Sequence, residues 1–159
     1  MERILLPIDF SDVTEPAIRM AEVFAVALDA EVHLVHVAPG GAGGVPWESG
    51  LVPMQYDPSD ERRRLDELVQ RFRAQGVAAE ASVLRGPVIQ TILDQIEHRG
   101  IDLVILGSHG HGAVYQMLLG SVSEGVMHRA GCPVVTVPSP GKMAAHQSHG
   151  RAGTESVSQ

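Results

Sequence analysis

Gly107-Ser108-His109-Gly110, then nine residues, then Gly120-Ser121, is the stretch of this 159-residue chain best equipped for chemistry. It follows the apolar run Leu103-Val104-Ile105-Leu106 and leads into a segment from Val122 onward that reads as a helix. Glycines at a strand's carboxyl end and again at a helix start let backbone N–H groups face an anion with no Cβ in the way. Gly110 would permit close approach, Ser121 and Ser123 would add hydroxyl donors, and the positive end of the following helix favours negative charge. Lysine cannot supply the compensating charge. Only Lys142 is present, past the expected core, so a Walker-type lysine clamp is excluded there. The chain is a candidate nucleotide binder.

Asp9 closes a second apolar run, Arg3-Ile4-Leu5-Leu6-Pro7-Ile8. A carboxylate is a poor direct partner for phosphate. Its natural roles are to hold a hard divalent cation, directly or through water, or to bond a ribose hydroxyl. Val37, ending a third apolar run, is placed to touch a base or to pack beside it. Each residue also has a plain structural reading. Gly107 and Gly110 form a tight turn, Asp9 caps the first helix, and Val37 is core. His109 and His111 flank Gly110, but no third ligand stands at a suitable spacing, so they read as exposed loop residues rather than metal ligands. His33 and His36 face opposite sides of their strand, with at most one in the core. A covalent hydrolase is disfavoured because Ser108 lacks the G-x-S-x-G setting of a nucleophile elbow.

The elements that must position these residues follow from periodicity. Strands are expected at 3–9, 31–37, 79–84, 102–106 and 133–137. The first helix has Ser11, Asp12 and Thr14 as candidate N-caps, with Ala17, Ile18, Ala21, Phe24, Ala25 and Leu28 at helical spacing. A second helix over 60–75 carries Leu65, Leu68, Val69 and Phe72 as its stripe and Gly76 as its C-cap. A third runs from Gly86-Pro87 to Arg99, closed by Gly100, and a fourth over 121–129. The Gly/Pro-rich stretch 39–58 reads as a long surface loop. Residues 139–159, rich in Ser, Gly, His and Gln, read as a disordered tail. Residues 1–138 form the one folded domain. Strands alternating with helices imply an α/β fold, a doubly wound parallel sheet with helices on both faces. With order 3-2-1-4-5 the switch point falls between the first and fourth strands, which brings Asp9 and the glycine loop together.

The formal net charge of −7 argues against nucleic acid or an acidic membrane as the main partner. Arg62-Arg63-Arg64, interleaved with acids, reads as a solvated helix face. Cys132 is the only cysteine, so neither an intrachain disulfide nor a cysteine zinc site can form. It reads as a small semi-buried residue. No secretory leader and no membrane-length apolar run is evident, and a cytoplasmic protein is the expectation.

Gly107, Gly110, Gly120 and Ser121 match G-x2-G-x9-G-[ST] without a gap, and the chain resembles the universal stress protein family over residues 3–137, in particular its ATP-binding branch. Ser121-Val122-Ser123, Pro7-Ile8-Asp9-Phe10-Ser11 and His36-Val37 carry the same resemblance. It implies a five-stranded Rossmann-like fold of the adenine nucleotide alpha hydrolase type. It implies that Pro7, Ile8 and Asp9 line the adenosine side, with Asp9 near the ribose or a Mg2+ or Mn2+ ion. Val37 would contact adenine, and Leu106 and Gly107 would lie under the nucleoside. Gly110, Gly120, Ser121, Val122 and Ser123 would bind phosphates. It further implies a homodimer paired through the last strand, Val134-Val135-Thr136-Val137. The expected function is an ATP-binding switch or binding module in stress response, at most a weak ATPase. The alternatives are binding of cyclic AMP or another adenine nucleotide, or a structural dimer with a vestigial site and an unidentified protein partner.

Overall fold

The structure, a computed structural model, describes residues 2–38, 57–108 and 121–138. Five strands and four helices alternate: β1 (Arg3–Pro7), α1 (Thr14–Leu28), β2 (Glu31–Ala38), α2 (Ser59–Ala74), β3 (Ala79–Arg85), α3 (Val88–Arg99), β4 (Leu103–Ser108), α4 (Ser121–Met127) and β5 (Val134–Pro138). All strand pairs are parallel, in the order β3-β2-β1-β4-β5. The expected α/β architecture and strand order are therefore present.

Handedness explains which helix covers which face. From β1 through β2 to β3 the chain moves one way across the sheet, and right-handed crossovers place α1 and α2 on one side. The return from β3 past β1 to β4 and β5 reverses direction and places α3 and α4 on the other. Side chains of a strand alternate between faces, so β1 sends Ile4 and Leu6 to the α1/α2 layer and Leu5 to the α3/α4 layer. Small residues on α1 (Ala17, Ala21, Ala25) bring that helix close to the sheet, and Leu65, Val69 and Phe72 form the buried stripe of α2. Ile92, Leu93 and Ile96 serve α3.

Helix ends depart from expectation in detail. Val13, not Ser11, Asp12 or Thr14, is the residue before α1, and it makes no side-chain cap bond. The reason is local: the Ser11 hydroxyl is turned back onto Asp9. Gln75 rather than Gly76 is the C-cap of α2, with Gly76 following at φ +80°. Gly100 closes α3 in the left-handed conformation as expected.

Polar networks tie the layers together. The Arg71 guanidinium on α2 donates through Nε and one Nη to both carboxylate oxygens of Glu22, at 2.6 and 3.0 Å, and through the other Nη to Glu15, all on α1. At the sheet end opposite the strands' carboxyl termini, buried His33 lies with Nδ1 2.8 Å from Glu80 and Nε2 3.7 Å from Glu31. Arg99 from α3 pairs with Glu80 and reaches His33 Nδ1 at 3.0 Å. Burial works to raise the Glu80 pKa, but the hydrogen bonds from His33 and Arg99 outweigh it and hold the carboxyl below its usual range. Glu31, His33 and Glu80 have ligand atoms near enough for a metal, but the Arg99 guanidinium already supplies the cation.

Candidate functional site

The site begins with a pairing that stops early. β1 pairs with β2 over five residues but with β4 only at Ile4–Leu103 and Leu5–Val104. Beyond those pairs the carboxyl ends of β1 and β4 separate, as the reversal of winding at this point demands. The gap is a cleft of about 450 Å³, within the usual range for small-molecule sites.

Nine of the expected residues line this cleft: Pro7, Ile8, Asp9, Val37, Leu106, Gly107, Ser121, Val122 and Ser123. Gly110 and Gly120, like His109, His111 and the 139–159 tail, lie outside the described residues. So does most of the expected 39–58 loop. Sequence reasoning missed six further lining residues, Val13, Thr14, Ala17, Val35, Val88 and Ile92. Val35 could have been found, because it shares a strand face with Val37 two residues on. Val88 and Ile92 had no signal of their own, since their place at the cleft depends on how α3 docks. The walls are apolar toward β2 and α3. Asp9, Thr14, Ser121 and Ser123 make the other end polar. Among the described residues the walls carry one carboxylate and no basic side chain.

Each element fixes its residue for a physical reason. The Ile8 N–H bonds the Val35 carbonyl at 2.8 Å, extending β1 toward β2 by one step. His36 Nδ1 lies 2.8 Å from the Ile8 carbonyl, so the ring nitrogen must carry the proton and donate. Asp9 accepts from the Ser11 N–H at 3.1 Å and from the Ser11 hydroxyl at 2.8 Å, which turns the chain into α1. Between them Phe10 takes φ +59°. A bulky L-residue there is a true outlier, costing on the order of 1–3 kcal/mol. Two contacts offset that cost. The Phe10 ring lies 5.0 Å from the His36 ring, and the Arg64 guanidinium sits 3.9 Å over its face. The expected solvated face of α2 thus holds for Arg62 and Arg63, which pair with exposed acids, whereas Arg64 is engaged with Phe10.

Gly107 owes its identity to packing. A Cβ at this position would overlap the Val13 side chain at the entrance to α1. Its carbonyl accepts the hydroxyl proton of buried Ser123 at 3.0 Å, tying β4 to α4. That commits the single O–H of Ser123 to the sheet. Ser121, at the exposed start of α4, has no such tie among the described contacts. Cys132 is half-buried, and burial, with Asp102 nearby, pushes its thiol pKa up. It is no poised nucleophile. No described helix is long and apolar enough to cross a membrane.

The universal stress protein family matches residues 1–138. Universal stress protein YxiE of Bacillus subtilis is 31% identical over 147 residues, covering 85% of this chain and 97% of the relative. Among solved structures, the universal stress protein of Archaeoglobus fulgidus in complex with dAMP superposes at a TM-score of 0.62. It has 22% identity, covering 86% of this chain and 97% of the other. A universal stress protein in complex with cAMP superposes at 0.64, with 22% identity and coverage of 87% and 97%. At that identity the likeness shows the shared fold.

Proposed function

Because the chain belongs to the universal stress protein family, we propose that its cleft binds an adenine nucleotide, ATP first among them. Occupancy would make the protein a switch or binding module in a cytoplasmic stress response. The observation that carries this reading is the cleft itself, open at the carboxyl ends of β1 and β4 and apolar at one end and polar at the other. Val35, Val37 and Leu106 offer a slot for a base. Asp9 stands where a ribose or a metal would come. The backbone at Ser121–Ser123 opens α4 toward the phosphates. The adenine nucleotides carried by two proteins of this fold support the same class of ligand. The G-x2-G-x9-G-[ST] spacing supports the ATP-binding branch, with Gly110 and Gly120 completing the phosphate loop.

Asp9 suits a hard divalent cation such as Mg2+ or Mn2+. It is exposed at the cleft rim, and no cluster of three ligating side chains includes it among the described residues. A cation there would take most of its oxygens from phosphate and water, the usual arrangement for Mg2+. It would neutralise phosphate charge that the described walls, which hold no lysine or arginine, do not. Slow or absent hydrolysis is part of the reading. The described walls hold no histidine, lysine or arginine to activate water or stabilise a leaving phosphate. Turnover should fall well below the roughly 10 per second of a typical enzyme. β5 lies at the sheet edge, with half-buried Val134, Val135 and Thr136. Pairing with a second copy would cover that edge.

Calorimetric titration of ATP, AMP and cyclic AMP into the full chain tests the reading. ATP should bind most tightly, with the β- and γ-phosphates adding affinity. Equal affinity for ATP and AMP would remove the phosphate loop from the account, and tighter cyclic AMP binding would make the protein a cyclic-nucleotide module. No binding of any of the three would leave a structural dimer with a vestigial site.

A further inference from the structure

Phe10, His36 and Arg64 form a stack just outside the cleft and contribute nothing to its walls. The stack nevertheless controls the backbone that does. Phe10 lies between Asp9 and the start of α1, with Ile8 and Asp9 both lining the cleft. Its left-handed backbone turns Asp9 and Ser11 to their observed positions, and an L-residue leaves that conformation unless something holds it. The His36 imidazole holds it from the sheet side twice over, by its bond to the Ile8 carbonyl and by its ring contact with Phe10. The second holder is Arg64, whose guanidinium lies 3.9 Å over the ring from the exposed surface of α2. Arg64 also lines a second groove of about 430 Å³ between α1 and α2, which shares Thr14 with the cleft. A side chain of α2 is therefore linked to the nucleotide site through one aromatic ring.

We propose that Phe10 is a positioning residue for nucleotide binding. Held left-handed by its contacts with His36 and Arg64, it sets Ile8 and Asp9 in the cleft, so that Arg64 tunes nucleotide affinity from α2 without touching the nucleotide. The proposal rests on the reading of the cleft as an adenine-nucleotide site. Any event at the α1–α2 groove that draws Arg64 off the ring would then loosen Asp9 and weaken binding.

A double-mutant cycle read by ATP calorimetry separates this from simple charge attraction. Arg64→Met should weaken ATP binding about threefold or more, the usual worth of a partly exposed cation–π contact. Arg64→Lys, which keeps a cation over the ring, should restore most of it. Phe10→Leu should weaken binding at least as much, and in that background Arg64→Met should cost nothing further. Melting temperatures of the Arg64 variants should fall by no more than about 2–4 °C, the worth of one exposed contact. Adenosine serves as an uncharged probe and should show the same Arg64→Met loss. A loss that persists in the Phe10→Leu background, or that vanishes with adenosine, would mean bulk electrostatics and overturn the proposal. Unchanged ATP affinity in Arg64→Met would overturn it equally. A wild-type chain that binds neither ATP nor adenosine would overturn the functional reading, and the proposal with it.

Discussion

Gly107 shows how a residue can be legible in the sequence for one reason and required by the structure for another. Its position after an apolar strand marks an anion-binding turn. In the folded chain it also accommodates Val13 and accepts the Ser123 hydroxyl. The packing role makes a prediction independent of any ligand. Gly107→Ala should destabilise the protein by about 1–3 kcal/mol through overpacking. Adding Val13→Ala should recover part of that loss, as read by urea denaturation. Additive losses in the double variant would show that the overlap with Val13 is not the cause. Phe10 is the opposite case. Nothing in its sequence context announces a left-handed backbone, because that conformation depends on His36 and Arg64, 26 and 54 residues away. Strain of this kind is a tertiary property and leaves no periodic trace.

At the scale of elements, the apolar runs and helical stripes located the five strands and four helices of the described residues, and the expected strand order 3-2-1-4-5 is the one observed. The ends were less legible. Capping at α1 is decided by where the Ser11 hydroxyl turns, which no propensity encodes. The α1–α2 clamp was likewise hidden, since Arg71 meets Glu15 and Glu22 only when the helices lie side by side. Its pH signature can be worked out. The hydrogen bond from Arg71 is the leading cause that holds the Glu15 carboxyl below its usual value. The folded-state pKa is thus depressed, so the contribution is whole above the unfolded value of about 4.3 and is lost as pH falls through the folded value. Arg71→Met should cost about 1 kcal/mol near neutral pH, a modest figure because both partners are partly exposed. It should also flatten the stability–pH curve below pH ~4.5. Parallel curves for variant and wild type would remove the ion pair from the account.

Across the whole molecule, the early end of β1–β4 pairing creates the cleft, at the switch point that the expected strand order 3-2-1-4-5 places there. The cleft's far wall was not readable in the sequence, because Val88 and Ile92 reach it through the docking of α3. The same scale governs assembly. β5 is an edge strand whose only partner among the described residues is β4. Sedimentation velocity should therefore find a mass of two chains, and a monomer at micromolar concentration would contradict pairing through Val134–Val137. Amide NMR of the full chain titrated with ATP and Mg2+ reports directly on whether the cleft holds the nucleotide. Saturable shifts are expected at Ile8, Asp9, Val37, Leu106, Gly107 and Ser121–Ser123, with amides around His33, Glu80 and Arg99 at the opposite end of the sheet unmoved. Shifts centred away from the β1–β4 crevice, or none at saturating ATP, would contradict nucleotide binding in the cleft.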